Sequence, residues 1–283
     1  MQLHPLRSLQ HHPECSRPGY RQAPGRGGRL PGGALPRLPG ADLRGAPVRP
    51  DGEEHRLGPA RVLITRRQPI LPDDPLDPLR ELLAREKPGV GIARVHQVHG
   101  VDIHHAAGPT SEPYPRADAV VTAERALAAV VVTADCVPLL LADREGRCVA
   151  AVHAGWRGTH AGIAGRVVAE LESRFGVRPE ELAARVGPAI GPCCYEVSSE
   201  LGADIAARWG GDWVHPGPAG RPHLDLPGLV RFQLVQADVE ESAVGGGGEC
   251  TLCERERWYS WRGGDKSGRL VAAVWLPDDA SPV

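Results

Sequence analysis

The residues best suited to chemistry in this chain are two histidines and a cysteine: His99, Cys136 and His153. The apolar runs Val137 to Ala142 and Cys148 to His153 are separated by Asp143-Arg-Glu-Gly146, a hairpin turn signal, so they should pair antiparallel. Cys136 stands at the start of the first run and His153 at the end of the second, and the pairing brings them together. His99 closes a further predicted strand, Gly91 to Val98, from which it reaches the same rim. Two imidazoles and one thiolate leave a tetrahedral zinc with an open fourth position, as in catalytic sites. Water bound there is acidified toward a pKa of about 7, which is hydrolytic or deaminating chemistry. Spacing alone matches no HExxH or paired CxxC frame, and each residue taken singly is equally a hydrogen-bonded histidine or a packed thiol.

The elements that must position this trio begin at Arg61. Arg61 to Thr65 reads as a short strand and Asp77 to Glu86 as a helix with Leu79, Leu82 and Leu83 on one face. Further strands are expected at Ala119 to Thr122, Ala129 to Ala134 and Leu270 to Leu276. Helical patterns lie at Thr159 to Phe175 before Gly176, at Ser198 to Trp209 before Gly210, and at Pro227 to Ala237. Gly245 to Gly248 reads as a flexible loop. Long antiparallel strands with a few helices predict an α+β sandwich rather than a doubly wound parallel sheet. Residues 1–60 are dominated by Pro, Gly and Arg, contain no Ile or Phe and show no periodicity, so the expected division is an unstructured or aberrant 1–60 and a folded domain over 61–283.

A formal net charge of −2 provides no basic field for nucleic acid or an anionic membrane, and the partner expected is a small molecule. No apolar run is long enough to span a bilayer, and no secretory signal is legible, which makes the cytoplasm the expected compartment. Seven cysteines without regular spacing suit reduced thiols; Cys15 and Cys148 read as small buried hydrophobes.

Four strings occur in order: His96-Gln-Val-His-Gly-Val-Asp102, Thr133-Ala-Asp-Cys-Val-Pro-Leu-Leu-Leu-Ala-Asp143, Val149-Ala-Ala-Val-His-Ala-Gly-Trp-Arg-Gly-Thr159 and Gly187-Pro-Ala-Ile-Gly-Pro-Cys-Cys-Tyr-Glu-Val197. Together, over about Gly91 to the C-terminus, they resemble the YfiH-like family, long labelled laccase-domain or polyphenol oxidase. The resemblance implies an α-β-β-α sandwich of mixed, largely antiparallel sheets, and a zinc ion on His99, Cys136 and His153. It further implies phosphorolysis of adenosine, inosine, guanosine and methylthioadenosine, with deamination of adenosine. The partners would be purine nucleosides and phosphate.

Phosphorolysis needs a cationic cradle for phosphate, and Arg157 and Arg262 are the candidates, because a guanidinium meets phosphate oxygens in bidentate fashion. Tyr195 and Glu196 are candidate pocket residues, while Asp135, beside Cys136, should point to the opposite face and takes no assigned role. Cys193-Cys194 and Cys250-Thr-Leu-Cys253 invite a second metal site, but adjacent cysteines are poorly placed to share one ion, and none is assigned.

Three other readings compete. Copper-dependent phenol oxidation suits a His2Cys set, but the only methionine is Met1 and no His-x-His pair exists to hold a copper cluster, so copper is the less favoured metal. A cysteine hydrolase with Cys136 as nucleophile and His153 as base would act on amide bonds, as in editing of peptidoglycan precursors. A zinc-stabilised scaffold would lose its fold rather than an activity without Cys136. Two departures from the resemblance stand out. The family's opening FTTR-like strand has only a weak echo in Thr65-Arg66, which predicts a sheet lacking an element and a pocket lacking one wall. A usual pair of arginines is here Arg262-Gly263-Gly264, which removes one contact.

Overall fold

The computed structural model describes residues 52–68 and 71–278. In chain order its elements are β1 (Gly52–Leu57), β2 (Ala60–Thr65), α1 (Asp77–Glu86), β3 (Gly91–Arg94), β4 (Ile103–His105), β5 (Ala119–Thr122), β6 (Leu127–Thr133), β7 (Val137–Asp143) and β8 (Val149–Ala154). There follow α2 (Trp156–His160), α3 (Ile163–Phe175), β9 (Leu182–Val186), α4 (Ser199–Trp209), β10 (Val214–Pro216), β11 (Pro222–Leu224), α5 (Leu226–Gln236), β12 (Val244–Gly246) and β13 (Leu270–Trp275).

Two sheets stack face to face. The first runs β1-β2-β13-β6-β3 and the second β12-β9-β7-β8-β5-β4. Among the named strands, parallel pairing is confined to β3 with β6, β4 with β5 and β9 with β12, so the sheets are mixed and largely antiparallel. Side-chain alternation along the strands builds three apolar layers. Leu140 and Ala142 of β7 and Val149 and Ala151 of β8 face the first sheet, where they meet Ala129, Val131, Ala272 and Val274. The intervening Val137, Leu139, Leu141, Ala150 and Val152 face the helices, packing on Val167, Leu171, Ile205, Leu229 and Leu234. On the outer side of the first sheet, Val130, Val271 and Ala273 are covered by Leu79, Leu82 and Leu83 of α1. Strands buried on both faces explain the near-continuous apolar runs in β7 and β8, each buried Leu or Val contributing roughly 1.5–3 kcal/mol of transfer free energy. The result is the expected α-β-β-α sandwich.

The β7–β8 hairpin has the expected register, with Pro138 opposite His153 and Val137 opposite Ala154. Gly146 turns it at φ +79°, a conformation that suits glycine.

Four expectations differ from what is found. Gly52–Leu57, placed in the unstructured segment, is a strand paired along its whole length with β2, and β2 in turn pairs with β13, so β13 has neighbours on both sides. Residues 1–51 and Cys15 lie outside the described residues. The helix expected over Thr159 to Phe175 is two helices, because Gly162 takes φ +86° and interrupts the ladder. The predicted strand Gly91 to Val98 ends at Arg94. Beyond it, Gln97 continues the edge through its side chain, donating to the Val132 carbonyl and accepting the Val132 amide, both at 2.8 Å. Finally, the Gly245–Gly248 loop contains two of the three residues of β12: a Cβ on Gly246 would clash with the Val186 carbonyl oxygen, so only glycine admits this parallel pairing with β9. Arg231 caps it by donating to the Val244 and Gly246 carbonyls at 2.6 and 2.9 Å.

Candidate metal centre

His99, Cys136 and His153 meet at one end of the sandwich, their ligand atoms all within 4.8 Å of one another. His153 is buried near the end of β8, Cys136 is half-buried just before β7, and His99 is exposed on the segment that leaves β3. The two imidazoles stand edge to face with centroids 4.7 Å apart.

Asp118, directly before β5, organises this meeting and was not singled out in the sequence. Its carboxylate is fully buried. Oδ1 accepts from His153 Nδ1 at 2.8 Å and from the His99 amide at 2.9 Å, while Oδ2 accepts the Val98 and Gly100 amides at 3.2 and 2.6 Å. Three consecutive amides on one carboxylate hold His99 at φ +61°, a left-handed conformation uncommon for a non-glycine residue. The carboxylate also fixes the His153 tautomer with its proton on Nδ1, leaving Nε2 for the shared centre. Burial pushes the Asp118 carboxyl up, but hydrogen bonds from His153 and Gly100 outweigh it and the pKa is lowered. An acidic residue in Ala117-Asp-Ala119, opening an otherwise apolar strand, was the available signal: a buried carboxylate needs donors to satisfy it.

The electrostatics favour a charged pair. Burial alone would raise the Cys136 thiol; hydrogen bonds to His153 and His99 overcome it and bring the pKa down to about 7. Burial likewise depresses His153, yet Asp118 and Cys136 raise it to about 9. Gly155 leaves room for an ion among the donors: a Cβ there would sit 3.1 Å from both Cys136 Sγ and His99 Cδ2. Two borderline nitrogen donors, one soft thiolate, a carboxylate behind one histidine and an open cradle together fit a transition-metal ion.

Asp135 adopts φ +84° and turns its carboxylate away from Cys136. It accepts from Thr251 Oγ1 at 2.6 Å and from the Arg262 amide at 2.7 Å, tying the C-terminal segment to the Cys136 turn. Beside the centre lies a cleft of about 610 Å³ lined by Trp156, Tyr195, Glu196, Leu201, Arg221 and Arg262, among others. Arg262 stacks 5.3 Å above the Tyr195 ring and donates to the Glu196 carbonyl at 3.0 Å. Arg157 stacks 4.3 Å over Trp156, a wall of that cleft. Tyr195 bridges the two regions: burial first, then the Cys136 charge, pushes its phenol up to about 12, with Arg262 and Arg157 opposing. Glu196 is engaged by Arg221 at 2.9 Å. A cation that sequence reasoning passed over, Arg269, precedes Leu270, which pairs with Thr133, and so lies alongside the turn into Cys136. Its guanidinium donates to the Lys266 and Gly268 carbonyls and stacks on Trp261 at 5.1 Å. Cys148 is fully buried, its thiol pushed up to about 12 by burial, as a packed hydrophobe should be.

A family model described as multi-copper polyphenol oxidoreductase laccase matches residues 79–277. The chain belongs to this family. Within the laccase-like family, it is 43% identical over 206 residues to purine nucleoside phosphorylase SCO2081 of Streptomyces coelicolor, covering 70% of this chain and 81% of that protein. It is 40% identical over 212 residues to a purine nucleoside phosphorylase of Deinococcus radiodurans, with coverages of 72% and 79%. Purine nucleoside phosphorylase YfiH of Escherichia coli is 37% identical over 187 residues, covering 64% and 72%. Among solved structures, YlmD from Geobacillus stearothermophilus superposes with a TM-score of 0.70 at 26% identity, over 78% of this chain and 93% of that one. Neisseria meningitidis protein NMB0706 does so at 0.68 and 28%, over 80% and 99%. The sandwich is therefore that of the laccase-like family.

Proposed function

We propose that this protein is a zinc-dependent, cytoplasmic purine nucleoside phosphorylase acting on adenosine, inosine, guanosine and methylthioadenosine, with adenosine deamination at the same centre. The observation that carries the reading is the two-histidine, one-cysteine centre beside a cleft walled by aromatic rings and arginines. The names of relatives at 37–43% identity support the same activity.

His99, Cys136 and His153 would hold zinc, which when bound supplies an electrophilic centre for a departing purine or for water. Asp118 keeps a proton on His153 Nδ1 and holds the His99 segment, so His153 Nε2, once its own proton is displaced, would be the nitrogen offered to zinc. Trp156 and Tyr195 offer flat faces for a purine, and Tyr195 retains its proton at neutral pH and can donate it in a hydrogen bond. Arg157 and Arg262 provide the cationic pair for phosphate beside the anomeric carbon. Copper oxidation is disfavoured because the sequence has no His-x-His pair and its only methionine is Met1. Among the described residues no helix is long and apolar enough to cross a membrane.

The test is incubation of zinc-quantified protein with adenosine or inosine, with and without phosphate, beside a Cys136→Ala control, the bases being separated by chromatography. Phosphate-dependent release of adenine or hypoxanthine, lost in the control, is expected. Folded, zinc-loaded protein without turnover would sink the reading.

One observation favours a second reading. Cys136, His153 and Asp118 are arranged as thiol, base and orienting acid, and the thiol sits near 7. A metal-free chain would then act on amide bonds as a cysteine hydrolase. Rapid alkylation of Cys136 in protein as purified, without chelator, favours that role; protection until chelator is added favours zinc.

A further inference from the structure

Against the Tyr195 wall of the cleft, two pairs of cysteines distant in sequence converge. The Sγ atoms of Cys193, Cys194, Cys250 and Cys253 all lie within 4.8 Å of one another. Cys193 Sγ is 3.4 Å and Cys194 Sγ 3.5 Å from Cys253 Sγ. A tetrahedral ion with metal–sulfur bonds of about 2.3 Å requires sulfur–sulfur edges of about 3.8 Å. Two of the six edges fall within about 0.4 Å of that length and none exceeds 4.8 Å, so modest side-chain adjustment would bring the four sulfurs to one ion.

The objection from sequence, that adjacent cysteines diverge, holds for a strand, where successive side chains alternate. Here Cys193 and Cys194 sit in a tight turn closed by the Cys194 and Tyr195 amides onto the Gly191 carbonyl at 3.0 and 2.9 Å. In so tight a turn successive side chains need not point to opposite faces, and these two sulfurs reach one point. Cys250 belongs to the opposing segment, held in place by the Ala189–Cys250 bridge and by the Thr251 amide donating to the Ala189 carbonyl at 3.0 Å. Its sulfur accepts the Gly191 amide at 3.3 Å, an arrangement that suits a thiolate. Ile190 and Leu252 pack around the cluster, with Cys194 and Cys250 buried, so a metal–thiolate unit there would be shielded from water.

We propose that Cys193, Cys194, Cys250 and Cys253 form a second, structural metal site that takes zinc as a four-thiolate complex and staples the two segments framing the substrate cleft. One segment carries Tyr195 and Glu196; the other carries Thr251, which holds Asp135, and leads to Arg262. Closed four-sulfur coordination leaves no open position, so this ion has no part in chemistry. Cys253 is disulfide-bonded in this structure, and the site is therefore that of the reduced chain. A dithiol reductant delivers two electrons to that bond, which opens to two thiols as the reductant closes to its own cyclic disulfide; zinc then displaces the thiol protons to solvent.

The experiment uses the full chain, kept under a dithiol reductant and freed of loosely bound metal. Elemental analysis should give about two zinc ions per chain for the wild type, about one for Cys136→Ala and about one for Cys250→Ser. Cobalt loaded into reduced Cys136→Ala should show strong thiolate-to-metal charge transfer and tetrahedral ligand-field bands. A folded, reduced Cys136→Ala protein that holds no zinc and gives no such spectrum overturns the proposal. Should either variant fail to fold, titration of the reduced wild type with cobalt decides: an equivalent with the four-sulfur signature supports the site whether or not a second equivalent binds, and saturation without that signature overturns it.

Discussion

A single oxygen of Asp118, Oδ1, accepts both the His153 ring nitrogen Nδ1 at 2.8 Å and the His99 backbone amide at 2.9 Å. Two residues on different elements, 54 positions apart in the chain (153 − 99), are thereby referred to one buried atom. The carboxylate sets the tautomer of one imidazole and the backbone position of the other, so the geometry of the centre depends on a residue that is not itself one of the three donors.

Asp118→Asn tests that dependence. The amide preserves volume but replaces one acceptor by a donor, which must face either a backbone amide or the His153 ring. Metal affinity should fall about 10–100-fold, as when a partner behind a ligating histidine is lost. Asp118→Ala should also destabilise the fold by about 3 kcal/mol, because the amides of residues 98–100 and the buried His153 lose their acceptor. Competition with a chromophoric chelator and denaturant melts read the two effects separately; unchanged affinity in Asp118→Asn would refute the positioning role.

Gly155→Ala separates the centre from the fold. Gly155 lies at φ −73°, where alanine is unstrained, but the added methyl comes within 3.1 Å of Cys136 Sγ and His99 Cδ2. Thermal unfolding of the metal-free protein should change little, while the metal of this centre and phosphorolysis are lost together. Full metal occupancy in the variant would mean that the ion sits elsewhere.

The hairpin that sets the register of Cys136 and His153 predicts an acid dependence of stability. Asp143, fully buried at its turn, accepts Arg147 Nε and Nη2 at 2.8 and 2.9 Å and the Arg147 amide at 2.9 Å. Burial raises its carboxyl, but the Arg147 bonds outweigh it and leave the folded pKa lowered. A lowered carboxylate contributes stability that is complete above its unfolded value and disappears as pH falls through its folded value. Wild type should therefore exceed Asp143→Asn most at neutral pH, with the gap closing on acidification through and below the ordinary carboxylate range. Urea midpoints at several pH values measure this, and a gap independent of pH would assign the difference to packing instead.

The parts of this architecture legible in the sequence are those where pattern and structure share a period. Val137 to Ala142, Cys148 to His153 and the turn between them reveal a hairpin and hence the proximity of Cys136 and His153. The bounds of α1 follow from its proline-containing start and its apolar face. Short strands such as β4, β10, β11 and β12 carry too few residues for alternation to register, and β12 exists because Gly246 permits a close approach that composition alone reads as flexibility. Asp118 escaped notice because its role is set by side-chain hydrogen bonds across 18 to 35 positions. The cysteine cluster is not legible in the sequence, where adjacent cysteines read as poorly placed to share one ion, because the turn that converges them is set by backbone hydrogen bonds onto the Gly191 carbonyl.

The arginines of the cleft make the last prediction. Arg262 is anchored through its backbone amide to Asp135, so replacing its side chain by lysine leaves that tie intact. Lysine keeps the charge of Arg157 and Arg262 but loses the planar fork that grips two phosphate oxygens. Each Arg→Lys variant should raise the phosphate KM about 10-fold or more, the loss of roughly one charge-assisted hydrogen bond, with little change in the nucleoside KM. Arg221→Lys is the control, since Arg221 lies largely exposed on the rim and already pairs with Glu196 at 2.9 Å. A nucleoside KM that rises while the phosphate KM stays fixed would move these arginines to the base or ribose and leave Arg269, beside the Cys136 turn, as the cation to test for phosphate.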